Sequence, residues 1–517
     1  MKYLYTLALL ACVITWSSCR NDFETVASSG NLEFSRDTVF LDTVFSNIGS
    51  STYNLKVYNR TDEDISIPTV ALAQGEASNY RLNVDGLPGK SFTDVQVLAQ
   101  DSIFIFIETT FDINSAPSNE MQFLYTDQLV FDGGGNQQQV ELVTLVQDAV
   151  FLFPADLGNG IFETLTIGSG EEAFEIEGFF LDDNELTFTN EKPYVIYGFA
   201  AVPPEKTLTV EAGARVHFHE NSGILVANNA SMKVLGAPST DPVALENEVI
   251  FEGDRLEPSF SDIPGQWGFI WLTDGSVDHE FNYTTIKNGI AGIRMDNNTG
   301  PRTLELRNVQ IYNSAVSGLI AFTGDVYGEN VVINNSGQAS LACSFGGRYE
   351  FNHCTFVNYW TNSFRNFPSV QIDNVFQVGP DEVLVADVLQ ANFNNCIIYG
   401  NEQRELGILN QPGGSIFNFN FQNSLIRFDD PNNEFTEIPE YQFGNNELYT
   451  AIVRNEDPVF QDTENNNFNI EQGTSAAEGI GAGGIAPPVD LNGTPRDANS
   501  PDAGAYEATV FPDPDGD

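Results

Sequence analysis

The chain has 517 residues, of which 41% are hydrophobic and 40 are Phe, enough for two to four ordinary domains with aromatic-rich cores. Seventy-two acidic against 22 basic residues give a formal net charge of −50, a field that repels nucleic acid and anionic headgroups. It also disfavours polyanionic substrates such as polyuronates unless a local basic cleft exists, which leaves cations, neutral glycans and basic proteins as partners.

Residues 1–19 read MKYLYTLALLACVITWSSC. Lys2 precedes an apolar run from Tyr3 to Trp16, too short to span a bilayer comfortably and of the length of a signal-peptide core. Ser17-Ser18-Cys19 ends this run, and the ending resembles that of a bacterial lipoprotein signal. The resemblance implies cleavage before Cys19 and lipid on its thiol and new amino group, anchoring the protein to the outer membrane. Arg20-Asn21-Asp22 and Glu24 follow, a charged segment of the kind that directs some lipoproteins to the outer face. The expected location is therefore the cell surface, with the periplasmic side as the alternative. No other segment is long and apolar enough to cross a membrane.

Residues 23–150 carry short alternating runs between turn residues. Tyr53–Tyr58 alternates and predicts a half-buried strand; Ser102–Ile107 is apolar almost throughout and predicts a fully buried one. Roughly seven such runs predict an immunoglobulin-like β-sandwich, here without a core disulfide because the region has no Cys pair. Residues 151–200, acidic and Gly-rich, are expected to form a linker with a few strands that covers the start of the next domain.

Residues 201–445 change rhythm. The apolar pairs Leu208/Val210, Val216/Phe218, Ile224/Val226 and Met232/Val234 recur every eight residues. Later Ile286, Ile311, Ile333 and Phe356 recur at steps of 25, 22 and 23 residues, with Ile398 and Ile426 as later turns. A period in the twenties built from short strands predicts a solenoid. Three strands per turn give a right-handed parallel β-helix whose equivalent strands stack about 4.8 Å apart. A leucine-rich horseshoe is excluded because Ile, Val, Phe and Asn, not Leu, hold the repeat positions. The fold class is thus all-β: a sandwich, then a β-helix, then a C-terminal cap over 446–510 and an acidic tail over 511–517.

Asn288, Asn313, Asn335 and Asn358 share one register and predict a ladder of side-chain amides at a bend. Cys354 and Cys396 fall at inward positions, and with Cys19 set aside for lipid, Cys343 leaves an odd count that argues against a disulfide framework. His217 and His219 alternate with inward Val216 and Phe218, so both are expected to point outward. They are the candidate metal ligands, with no evident third ligand and with exposed surface histidines as the competing reading. No cofactor is required by any motif; Asp-rich turns such as Asp429-Asp430, Thr273-Asp274-Gly275 and the start Asp513-Pro514-Asp515 offer oxygens for Ca²⁺.

The C-terminal series Asp457-Pro458-Val459-Phe460, Gly493-Thr494-Pro495-Arg496 and Pro501-Asp502-Ala503-Gly504-Ala505-Tyr506-Glu507 resembles the closing segment of a large group of secreted bacterial β-helix proteins, which runs DPxF, GxxR, PDxGAYE. The LTVxxGxxVxF pattern from Leu208, Asp254-Arg255 and Pro264-Gly265-Gln266-Trp267 fit the same group. Phe34–Val39 and Asp42–Phe45 resemble the sandwich of its cell-surface lipoproteins. The resemblance implies architecture; most members have no assigned activity. The last segment is expected to cover the open end of the solenoid.

Catalytic motifs are sparse. Basic residues between 200 and 445 are scattered, no histidine follows a glycine, and no nucleophile elbow, phosphate loop or dinucleotide fingerprint stands in a convincing context. The sequence therefore points to a non-catalytic, surface-exposed lipoprotein that binds a polysaccharide or surface protein, with Trp267, Trp271 and Trp360 as contact candidates, or that serves as a structural spacer or adhesin. The alternative is a carbohydrate-active enzyme, a lyase or glycosidase, using acidic residues on one β-helix face. A compact cluster of Asp, Glu or Arg on an exposed face favours the enzyme; an uncharged face with exposed aromatics favours binding.

Overall fold

The computed structural model describes residues 25–512 except 118–120, 133–135, 169, 171–172, 299–301 and 380–381. The expected lipidation site Cys19 and the acidic turn from Asp513 lie outside the described residues. The chain is all-β and divides into two compact units after Asp148.

The first unit holds a six-stranded and a five-stranded sheet. Their facing residues, among them Leu41, Leu55, Val57, Ile67, Tyr80, Ile105, Ile107 and Leu142, form one core. Strand Ser102–Thr109 pairs Tyr53–Tyr58 on one side and Tyr80–Val84 on the other. It is central in its sheet, yet Phe104 and Phe106 are 46% and 42% exposed. The prediction of a fully buried strand is corrected: the alternate residues Ile103, Ile105, Ile107 and Thr109 face the core, while Phe104 and Phe106 face away.

The second unit is dominated by a sheet of 26 strands. Short strands pair in parallel with the third strand onward: Thr207–Glu211 with Ser231–Leu235, Arg215–Phe218 with Val249–Gly253, Gly223–Val226 with Ile270–Leu272. Parallel pairing begins earlier than composition suggests. Val150–Leu152, Phe174–Phe180 and Thr187–Phe188 already pair in parallel with later strands, so the acidic stretch contributes strands to the large sheet.

Three inward columns fill the core. One is Val216, Phe251, Ile286, Ile311, Ile333, Phe356, Ile398 and Ile426, of which Ile286, Ile311, Ile333 and Phe356 are the residues whose spacing set the period. A second runs Ile224, Ile270, Ile293, Leu319, Leu341, Val370 and Leu406. The third includes Val234, Phe281, Leu306, Phe351, Phe393, Phe421 and Tyr449. Gly328 takes one position in that third column, where a Cβ would meet Phe351 Cδ1 at 2.6 Å. Cys343, Cys354 and Cys396 are buried free thiols in the same core.

Two columns of left-handed residues turn the corners. Asn288, Asn313 and Asn335 have φ of 67°, 56° and 57°, where Asn is tolerated best among side-chain-bearing residues. Asn335 donates to Asn313 Oδ1 at 2.7 Å and Asn313 to Asn288 Oδ1 at 3.1 Å. Asn358 leaves the expected ladder: its amide donates to the carbonyls of Ser336 and Gln338 instead. The second column, Asn308, Asn330, His353, Asn395 and Asn423, also has positive φ throughout.

The C-terminal segment does not cover the end of the stack. Phe468, Ile470, Ala503, Ala505 and Tyr506 pack on Val332, Val357, Ile397 and Leu425, which project outward from the first ladder. Asn330, Asn395 and Asn423 of the second corner column donate to Val489, Ala482 and Ile480. The segment is therefore a strap along one flank. The end is closed by residues 428–449: Tyr441 joins the core, and its hydroxyl accepts from Ile408 N (2.6 Å) and donates to Ile408 O (3.1 Å). Ile408 lies on Leu406–Leu409, the last strand of its ladder among the described residues, so the tyrosine satisfies groups at that edge.

Candidate functional site

Of the four tryptophans, the three among the described residues are all largely buried but differ in what they border. Trp267 is fully buried, stacked on Phe218 at 4.2 Å with Nε1 donating to Lys287 O at 2.9 Å. Trp360 is 7% exposed and donates to Ser363 Oγ. As surface contact residues both are corrected: an indole offers more apolar area than any other side chain, and these two spend it in the interior. Trp271 is also mostly buried, at 6%, but its remaining edge borders two clefts.

Local sequence explains this. Trp271 follows Ile270 and precedes Leu272, both inward, so its own side chain projects outward. The hairpin Thr164–Ile167/Phe174–Phe180 then lies over that outer surface, where Leu165 joins Phe199, Ala201, Leu225 and Trp271 in a small apolar cluster. On one side of the hairpin is a cleft of about 780 Å³, bordered by Thr164, Thr166, Asn228, Trp271 and Thr273 and by the carboxylates of Glu163, Asp274 and Asp296. On the other is a more apolar cleft of about 400 Å³ with Phe174, Phe269, Trp271 and Arg294.

Asp296 is the best-held polar group here. It accepts from Trp271 Nε1 at 2.6 Å and from Arg294 Nε at 2.9 Å. Arg294 in turn lies over the Trp271 ring, 4.8 Å from its centroid. Indole, guanidinium and carboxylate thus fix one another. The bonded pair Trp271–Asp296 borders the larger cleft together with Glu163, Asn228 and Asp274. Asp274, a candidate Ca²⁺ turn residue, borders this cleft; Asp430 instead accepts from Glu434 N and Phe435 N in its own loop.

A second charged surface lies on residues 278–350. Glu280 and Glu305 stack in one column, with Arg307 and Glu329 in the next. Arg307 reaches Glu305 at 2.6 Å, Glu329 at 3.2 Å and Glu280 at 3.9 Å. Carboxylates stacked at strand spacing repel, and one guanidinium shared by three of them offsets that repulsion. This is the compact acidic cluster that would favour an enzyme, but its carboxylates are bound to Arg307 and border none of the clefts above.

His217 and His219 part company. His219 faces outward as expected; its Nδ1 lies 2.7 Å from Asp254 Oδ2, and that hydrogen bond raises its pKa. His217 has the outward parity yet is buried, with Nδ1 3.2 Å from Gly253 O and 3.8 Å from Glu252. Burial lowers its pKa and keeps it neutral. Its exposed placement is corrected: Glu252 and then Lys287 follow beside it on the next strands, and a 2.9 Å ion pair links those two. Among the described residues no three His, Cys, Asp or Glu side chains gather as a metal ion would need, and no helix is long and apolar enough to cross a membrane.

No protein-family model matches the chain, and no curated protein matches it. Several solved structures show partial likeness, among them two glycoside hydrolases. One is a family 123 glycoside hydrolase from Clostridium perfringens, described for glycolipid glycan hydrolysis, at 8% identity and a TM-score of 0.16 over 22% of this chain. The match spans about a quarter (26%) of that enzyme. The other is the catalytic domain of a family 87 α-1,3-glucanase in complex with tetrasaccharides, at 9% identity and a TM-score of 0.20, over 78% of this chain and 88% of that one. At such TM-scores neither likeness bears on activity.

Proposed function

We propose that this chain is an outer-membrane lipoprotein of the cell surface that binds glycan without cleaving it. In this reading it carries lipid on Cys19, then an immunoglobulin-like sandwich and a right-handed parallel β-helix, and belongs with the β-helix proteins its C-terminal motifs resemble. Parallel pairing with every third strand supports the β-helix, and two facing sheets over one core support the sandwich. The observation that carries the binding role is the cleft beside Trp271, where an aromatic edge, amide, hydroxyls and carboxylates border one cavity of about 780 Å³.

The second reading, a carbohydrate-active enzyme, rests on Glu163, Asp274 and Asp296 bordering that same cleft. One experiment separates the two. The protein is incubated with dextran, mannan, laminarin and polygalacturonate while new reducing ends and gel retardation are both followed. Retardation by a neutral polymer, weakened about tenfold in Trp271→Ala with no reducing ends released, is the expected result. Release that disappears in Asp274→Asn would make the protein an enzyme. The anchor is tested beside it: Cys19→Ala should abolish incorporation of labelled fatty acid and free the protein from the membrane fraction.

A further inference from the structure

The outer face of the five-stranded sheet in the first unit carries an aromatic surface that no core needs. Phe104 and Phe106 project from the middle strand with ring centroids 6.2 Å apart and planes 16° from parallel. Tyr58 continues the row, and Lys56 Nζ lies 5.2 Å from the centroids of both Tyr58 and Phe104. Asn54 on one neighbouring strand and Asn83 on the other both stand directly opposite Phe106. Paired side chains on adjacent strands lie about 5 Å apart, so both amides flank the ring.

Charge on this face is close to balanced. Of the cations between residues 25 and 148, Lys56, Arg60 and Arg81 lie on or beside it. Arg60 pairs with Glu33 at 3.0 Å and Arg81 with Glu108 at 3.7 Å, and Lys56 has no ion pair among the described residues. In a chain of net charge −50, such a patch accepts an uncharged polymer, while the field of the whole molecule opposes an anionic bilayer or an anionic glycan. A pyranose ring has an apolar C–H face and a rim of hydroxyls. Stacked rings flanked by amides match both. A permanent dimer would call for a more apolar surface than one broken by Asn54, Asn83 and Lys56.

We propose that Phe104, Phe106, Asn54 and Asn83 form a binding face for a neutral glycan chain, separate from the Trp271 cleft. It extends the glycan-binding reading to the first unit and does not depend on the cleft. The test uses the full chain in gels containing dextran, mannan or laminarin, with Phe104→Ala/Phe106→Ala, Asn83→Ala and Trp271→Ala variants. Because both Phe side chains are nearly half exposed and outside the core, the double variant should stay folded, with a melting temperature lowered by no more than several degrees. Retardation by one of these polymers should weaken about tenfold in the double variant, fall less in Asn83→Ala, and hold at about 150 mM salt. Loss in Trp271→Ala alone would overturn the face and leave the cleft; loss in the Phe variant alone would do the reverse. Retardation by none of the three, binding only to phosphatidylglycerol vesicles, or a dimer that the Phe substitutions dissolve would each overturn the proposal.

Discussion

At the scale of single residues, the corner columns show what the backbone demands. A positive φ penalises most side chains, Asn least, and four of the five positions from Asn308 to Asn423 are Asn. The fifth is His353, at φ 50° and fully buried, its Nε2 2.8 Å from Asn395 Nδ2. Burial, with Arg496 nearby, pushes its pKa down to about 3. The unfolded chain binds this proton below about pH 6.5 and the folded chain does not until about pH 3, so protonation favours unfolding and stability falls as pH drops through that window. His353→Asn should fit the column, match wild type at neutral pH, and lose less stability than wild type by about pH 5. Urea unfolding at both pH values checks this; equal losses in the two proteins would refute it. The sequence does hold this column: each member stands three residues before a ladder residue (Asn308 before Ile311, His353 before Phe356, Asn423 before Ile426). Counting only the Asn that follows the Ile hides it, and leaves His353 looking isolated.

At the scale of elements, legibility divides by what a position must satisfy. Inward positions of a stacked sheet have to be apolar at a fixed step, so Ile286, Ile311, Ile333 and Phe356 announce themselves. Outward positions obey no such rule. The outward parity of His217 is legible from its neighbours, but what covers an outward residue comes from elsewhere: the 164–180 hairpin over Trp271, the 459–509 strap over Val332 and Ile397. Conversely, Phe104 and Phe106 look buried in sequence because an aromatic alternating with Ile gives no contrast between the two faces. The strap offers its own prediction. Gly504 has φ 94°, and a Cβ there would meet Ile397 Cδ1 at 2.7 Å and Thr355 Oγ1 at 2.8 Å. That hydroxyl also accepts from Ala505 N at 3.0 Å. Gly504→Ala combines backbone strain with overpacking and should weaken docking of the strap by about 2–5 kcal/mol. Limited proteolysis should then cut between residues 456 and 509 long before the stack itself unfolds; unchanged protection would show that the contact yields without cost.

At the scale of the whole molecule, 72 acids against 22 cations mean that most carboxylates have no cation to meet. The observed ion pairs are local repairs, as Arg307 shows among its three glutamates. The remaining negative charge repels itself over distances that salt can shorten: the screening length falls from about 30 Å at about 10 mM to about 8 Å at about 150 mM. Exposed pairs such as Lys206–Asp183 and Arg60–Glu33 contribute little that screening could remove. Repulsion therefore outweighs attraction, and the melting temperature should rise with NaCl over that range at constant neutral pH, where the buried histidines stay uncharged. A fall would mean that ion pairs outweigh repulsion. CaCl₂ at matched ionic strength sharpens the result. If acidic turns act only as a diffuse field, Ca²⁺ should add little beyond its stronger screening and show no saturation. A saturable rise at low concentration, removed by chelator, would instead demonstrate a specific site, for which the carboxylates of Asp274 and Asp296 at the Trp271 cleft would be the first to replace with amides.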